Sequence, residues 1–384
     1  MSEQVTKRAG RAPLKIHWRL CQGGEQQGQS YKAYGCGLQR TRHTMGQSPE
    51  SGQVDLAQQL AFTREAEELG FDSLLVDFNL QKPDPILLAL ALGLQTQTIK
   101  FIIACRSGLM PPSYFVQKLN TLSQLIPGRF SLNVVAGHSP KEQHAYGDFL
   151  EHDQRFKRTE ELLAICRQLW ANSGEVDFSG EHYQLFNARV GTSFLSPGLN
   201  APECFIAGSS PQALSLATGQ GNTWISLARL PEDMAPLADQ MLSAGKEVAI
   251  RLSVICRPTR AQAWAAAEHL VASGEESEAA VGAVKAAEKN FVQQSDSYGI
   301  KQCHQEANSD RSPWLSEILW NGAVKTHGAT AIALVGSPQE IAQAIKAYQA
   351  IGVSQFIFSG WPQLDEMRIF AQRVLPLLMS QHAV

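Results

Sequence analysis

Short apolar runs rich in β-branched residues alternate along the chain with longer stretches whose apolar positions recur at helical spacing, and the alternation predicts eight strand–helix units. Strands are expected at 15–20, 73–77, 99–105, 130–135, 203–207, 223–227, 249–255 and 355–359. Helices are expected at 55–69, 85–96, 113–125, 153–170, 211–219, 231–244, 338–351 and 364–379. The first is closed by Gly70 and turns Leu56, Leu60, Ala61, Ala66 and Leu69 inward. Strands separated by helices pair in parallel, and a closed ring of eight leaves no sheet edge: this is a TIM (β/α)8 barrel. A doubly wound open sheet uses the same alternation, and the pattern alone leaves both open.

Three long polar stretches, 23–52, 138–152 and 257–336, follow strands. In a barrel they project from the C-terminal face, where chemistry is placed, which makes them candidate lids. Stretch 173–202 follows a helix instead, and its segment 176–183 reads as a small hairpin turning at Ser179-Gly180. The chain is expected to be a single domain over 1–384, with a frayed tail at 1–11 and an insertion at 257–336 that contains an Ala-rich helical segment at 279–291.

Composition narrows the class of partner. With 384 residues, 44% hydrophobic and 18% charged, the chain can bury a large core. A net charge of -3 argues against general nucleic-acid or membrane-surface binding. Seven scattered cysteines without a C-x-x-C pair imply free thiols in a reducing compartment. The N-terminal residues are polar and basic with no apolar run behind them, and the longest apolar run, 86–94, is too short to cross a bilayer, so a cytoplasmic protein is expected. No G-x-G-x-x-G, P-loop or G-x-S-x-G motif occurs.

Candidate chemistry gathers in three places. At Gly208-Ser209-Ser210-Pro211 backbone N–H groups, two hydroxyls and a helix N-terminus meet between strand and helix, which suits a phosphate and equally suits ordinary capping. Asn133 is a polar residue within an apolar strand, either a satisfied core amide or a ligand contact. Arg19, Arg106 and Arg251 lie in or just after strands, and a buried arginine needs an anion or a carboxylate; together they suggest an anion pocket, singly a structural ion pair. His138, His144 and His152 do not share a helical face, and no metal site is expected.

The order of Asn133-Val-Val-Ala-Gly137, Gly147-Asp-Phe, His152-Asp-Gln-Arg-Phe156 and a helix ending Leu169-Trp170 resembles the bacterial luciferase-like flavin monooxygenases, closest to the alkanesulfonate monooxygenase branch. The resemblance continues at Phe205-Ile-Ala-Gly-Ser-Ser-Pro211, Ile250-Arg-Leu252, Leu319-Trp-Asn-Gly322, Ala333-Leu-Val-Gly-Ser337 and Phe358-Ser-Gly-Trp-Pro362. It implies the barrel fold, with the cofactor FMN, in reduced form, held by Ser209, Ser210 and Arg155 at its phosphate and by Asn133 at its ring. Gly137 would admit the ring closely, and Glu142 matches a cofactor-contact position. Phe156 stands where the family has a Tyr, so one phosphate contact is altered. In the active site, Arg251 and Arg106 match arginines of the branch. Lys82 stands near the position of its Cys, Ser253 replaces its His, His327 lies near its loop Arg and Trp361 replaces its Tyr.

The implied reaction is oxygen transfer from O2, through a flavin C4a-peroxide, to a small organic anion: a sulfonate, phosphonate or carboxylate. Lacking a nicotinamide fingerprint, the chain would take reduced flavin from a separate NAD(P)H:flavin reductase, and a homodimer or homotetramer is expected. Two alternatives stay open: a deazaflavin-dependent hydride transferase on the same fold, and a non-catalytic flavin- or anion-binding protein.

Overall fold

In the computed structural model eight parallel strands close into a ring, which decides between the two sheets the pattern allowed. The structure describes residues 12–22, 54–80, 82–171, 173–271, 295–309 and 311–379. The expected tail at 1–11, the loop at 23–52 and the Ala-rich segment at 279–291 therefore lie outside the described residues. In chain order the strands are β1 (Lys15–Arg19), β2 (Ser73–Val76), β3 (Lys100–Arg106), β4 (Phe130–Val135), β5 (Val176–Ser179), β6 (Gln184–Ala188), β7 (Cys204–Ala207), β8 (Thr223–Leu227), β9 (Glu247–Arg251), β10 (Ser253–Cys256), β11 (Leu319–Trp320), β12 (Ala333–Gly336) and β13 (Val353–Phe358). The ring runs β1-β2-β3-β4-β7-β8-β9-β13 and closes where Lys15 pairs with Gln355.

Several helices begin where the sequence places a polar cap before proline. Asp84 accepts from the amides of Ile86 and Leu87 ahead of Pro85–Gly93, Ser210 from Ala213 ahead of Pro211–Gln220, and Ser337 forms a capping box with Glu340 ahead of Pro338–Ala350. Proline at the first helical position fixes φ and removes an amide that would have no partner there. The hairpin β5–β6 reaches Ala188, further than expected, and Glu161 of helix His152–Ala171 accepts from the amides of Glu181, His182 and Tyr183 in its turn.

Alternation along the strands sorts side chains between two environments. Leu74, Ile103, Leu132, Ile206, Trp224, Ile250 and Phe356 face the surrounding helices in the main core. Leu75, Ile102, Phe205, Ile225, Ala249 and Ile357 fill the barrel's middle. Below that plug lies a polar layer. His17 Nε2 meets Gln355 Oε1 at 2.9 Å, Gln355 Nε2 donates to Glu247 at 2.7 Å, Lys15 pairs with Glu247 at 3.2 Å, and Thr223 donates to Glu203 at 2.8 Å. Burial pushes the His17 imidazole down to about 4. A cavity of about 540 Å³ opens at this same end, beside Lys15, Arg167 and Glu203.

The single strand expected at 249–255 is two. β9 ends at Arg251, and after Leu252 the chain enters β10, which pairs in parallel with β12, itself antiparallel to β11, in a separate three-stranded sheet. Helix Arg260–Val271 packs on it around Ile255, Trp320, Val335 and Trp361. Parts of the insertion expected at 257–336 are thus sheet and packed helix, and residues 272–294 lie outside the described residues.

Candidate functional site

Inward parity places the strand candidates in one space. Arg251 pairs in register with Ile357 and Arg19 with Leu75, both interior residues, while Asn133 pairs with Phe205 and stands two residues beyond Ser131, the partner of Ile102. All three lie towards the C-terminal ends of their strands, above the apolar plug. Trp18, one residue off this parity, is core: its Nε1 donates to Gln363 Oε1 at 2.9 Å.

A residue that the family motifs did not mark sits at the centre of the mouth. Asp77 accepts from Arg19 Nε at 2.5 Å and from Lys82 Nζ at 2.9 Å. Burial works to raise its carboxyl, but the charges of Lys82, Arg19 and Arg251 outweigh burial and hold it well below the usual carboxylate range. Arg251 itself lies 3.4 Å from the Phe358 carbonyl. Asp77 follows Ser73 and Leu75 on the inward side of its strand, which is the signal that could have found it.

Arg106 forms a second group. Its guanidinium donates to Glu142 Oε2 at 2.7 Å and Gln143 Oε1 at 2.9 Å, and lies 5.0 Å from the Phe78 ring and 5.8 Å from the Tyr146 ring. Glu142 also accepts from the Leu80 amide at 2.7 Å, so it is no solvated loop residue but joins two loops. Both partners of Arg106 come from a short helix, Pro140–Ala145, inside the stretch expected to be an irregular loop. Gly137 has a reason of its own within the fold. With φ +90°, a Cβ there would stand 1.7 Å from Gln143 Nε2, which donates to the Ala136 carbonyl at 2.9 Å; the space is taken by Gln143.

The third group surrounds Arg155, whose side chain is 3% exposed on helix His152–Ala171. It donates to the Leu150 carbonyl at 2.5 Å and to Asp296 Oδ2 at 2.6 Å. Phe156 beside it turns its ring towards His152, 4.8 Å away. After the adjacent strand β7, Ser210 Oγ accepts from the Ala213 amide at 3.2 Å, so the capping role is realised, and its hydroxyl proton remains a donor. Gly208 precedes them with φ +129°, and a Cβ there would stand 2.8 Å from Ala213 Cβ. A Cβ on Gly299 would come within 3.2 Å of Ser209 Oγ, so the segment carrying Asp296 lies against both Arg155 and Ser209.

The remaining candidates stand apart from these groups. Ser253 is the first residue of β10 and wholly buried; its hydroxyl is engaged by Ser359 Oγ at 2.9 Å and the Thr330 carbonyl at 3.1 Å, so its position is corrected from barrel strand to sheet junction. His327 meets Trp361 edge to face at 5.3 Å, and Trp361 belongs to the apolar cluster of the small sheet.

Polar atoms at the mouth remain with nothing to bond. Buried Asn133 Oδ1, Arg106 Nε and Arg155 Nε have no hydrogen-bond partner among the described residues. No helix of the described residues is long and apolar enough to cross a membrane.

A closed parallel barrel that collects its charged side chains at the strands' C-terminal ends has the architecture of a barrel enzyme. The chain belongs to the luciferase-like monooxygenase family, whose sequence model matches residues 38–355. Solved structures share the fold at low identity. A riboflavin lyase, crystallised with modified FMN and the substrate riboflavin, is 17% identical, with 97% of this chain and 93% of that chain covered at a TM-score of 0.73. An EDTA monooxygenase from Chelativorans sp. BNC1 is 18% identical over 96% of this chain and 94% of that one, with a TM-score of 0.72. An F420-dependent secondary alcohol dehydrogenase in complex with an F420-acetone adduct is 18% identical over 96% and 99%, with a TM-score of 0.64.

Proposed function

We propose that the chain is the oxygenase of a two-component system, taking reduced FMN from a separate reductase and inserting one atom of O2 into a small organic anion. The observation that carries the substrate class is the gathering of Arg19, Lys82 and Arg251 on one carboxylate, Asp77, inside the mouth. A carboxylate, phosphonate or sulfonate entering beside Asp77 meets concentrated positive charge in a water-poor space, where charge-assisted hydrogen bonds are strongest.

The residues suit the cofactor. Asn133 Oδ1 is a buried acceptor awaiting a donor, as a flavin ring N–H supplies. Arg155, Ser209 and Ser210, with the N-terminus of helix Pro211–Gln220, offer a cation, hydroxyls and backbone amides for a phosphate. Bound reduced flavin supplies the oxygen chemistry. The protein's part is to orient substrate through Arg251, to hold Arg106 rigid between Phe78 and Tyr146, and to exclude water.

Wild type and Arg251→Ala are to be given reduced FMN, air and matched panels of sulfonates, phosphonates, carboxylates and their neutral analogues. We expect product heavier by one oxygen from an anion, and kcat/KM lowered at least about tenfold by the substitution. Best turnover of a neutral compound, unchanged in Arg251→Ala, sinks the anion reading. Likeness to the F420-dependent dehydrogenase favours a second reading, hydride transfer without oxygen. Tight F420 binding with no oxygen uptake on reduced FMN would establish that reading instead.

A further inference from the structure

The phosphate end of the mouth already contains an anion. Asp296 Oδ2 stands 2.6 Å from Arg155 Nη2, and the carboxylate is itself fixed in place: its own amide donates to the His138 carbonyl at 2.7 Å, and Ser297 next to it caps helix Tyr298–Ala307. The guanidinium is almost wholly buried, whereas the Asp296 side chain keeps 28% of its surface exposed. Arg155 gives Nη2 to Asp296 and Nη1 to the Leu150 carbonyl, and its Nε has no partner among the described residues. A phosphate arriving at Arg155 must displace the carboxylate or stand against it as a like charge.

We propose that Asp296 is a specificity-determining residue that competes with the cofactor's phosphate for Arg155 and so weakens discrimination in favour of phosphorylated flavin. The proposal rests on the reading of Arg155 as the phosphate ligand. A flavin with a bare ribityl chain meets no such competition, because nothing on it repels a carboxylate. Asp296 thereby narrows the gap in affinity between FMN and riboflavin.

The test is anaerobic titration of the full-length wild type, Asp296→Asn, Asp296→Ala and Arg155→Ala with reduced FMN and with reduced riboflavin, followed by tryptophan fluorescence. Both Asp296 variants should bind FMN about tenfold more tightly, the effect of one charge-assisted contact, and riboflavin with affinity unchanged within about twofold. Arg155→Ala should weaken FMN and spare riboflavin. Unchanged or weaker FMN binding in both Asp296 variants overturns the proposal and makes Asp296 a support that orients Arg155; equal tightening of both flavins overturns it too, leaving a general cover with no regard for charge. If Arg155→Ala leaves FMN affinity untouched, the phosphate reading falls and takes the proposal with it. FMN weakened by Arg155→Ala but not strengthened in either Asp296 variant removes the proposal alone.

Discussion

The two ends of the barrel are both polar, but their polar groups are completed in different ways. At the base, His17, Gln355, Glu247, Lys15, Thr223 and Glu203 bond mainly to one another. At the mouth, cations crowd on Asp77, and Asn133 Oδ1 and Arg155 Nε have no hydrogen-bond partner among the described residues. A base whose groups bond mostly to one another, with His17 Nδ1 left over, fixes strand register and contributes stability; the mouth, with Asn133 Oδ1, Arg106 Nε and Arg155 Nε without a partner among the described residues, keeps more bonding capacity unused. The cavity beside Lys15 and Glu203 belongs to the first kind of surface, and we place no chemistry in it.

That division is breakable. The largest effect is expected from Gln355→Ala: the side chain is fully buried and touches His17, Thr223 and Glu247, so its removal should cost about 3 kcal/mol in urea unfolding. Flavin affinity of the folded protein should stay the same, and a tenfold loss there would erase the distinction between the two ends. Next in size is a pH effect. The folded state keeps His17 neutral down to about pH 4, while the unfolded chain protonates it near 6.5. Acidification through that window therefore favours unfolding, by roughly 3 kcal/mol in total, and this part of the slope should vanish in His17→Gln. The smallest effect sharpens the contrast. Asn133→Leu removes an acceptor that has no partner, so stability should change by less than about 1 kcal/mol, whereas flavin binding should weaken by about 1 kcal/mol. A large loss of stability with unchanged flavin affinity would reassign Asn133 to the core.

The barrel was legible because its two periods are strong: Leu74 and Leu75, or Ile102 and Ile103, fall on opposite faces of buried strands, and several helices announce themselves with a polar cap before proline. The break at Leu252 was not legible, since Ala249 to Ile255 is apolar enough to read as one strand, and only pairing distant in sequence, with Ala333–Gly336, divides it. Family motifs brought Arg106, Arg155 and Arg251 to attention as cations. Their partners Asp77, Glu142, Gln143 and Asp296 depend on which loops meet at the mouth. Gly137 shows the limit well, because a glycine's freedom is visible in the sequence whereas the side chain that fills its space is not.

The junction at Leu252 has a mechanical consequence. Arg251 is the last residue of the barrel strand and Ser253 the first of the small sheet. The backbone between them is pinned on both sides, the Leu252 amide to Ile357, the Ser359 amide to Leu252 and the Val254 amide to Ser359. A cation at the mouth and the footing of an appended structure are thus one residue apart on a stiff lever. Chain lengthened far from the pivot, between Val271 and Tyr298, leaves the lever's fulcrum where it is; a single residue added at 252 puts either Arg251 or Ser253 on the opposite face, because the side chains of a strand change face with every step.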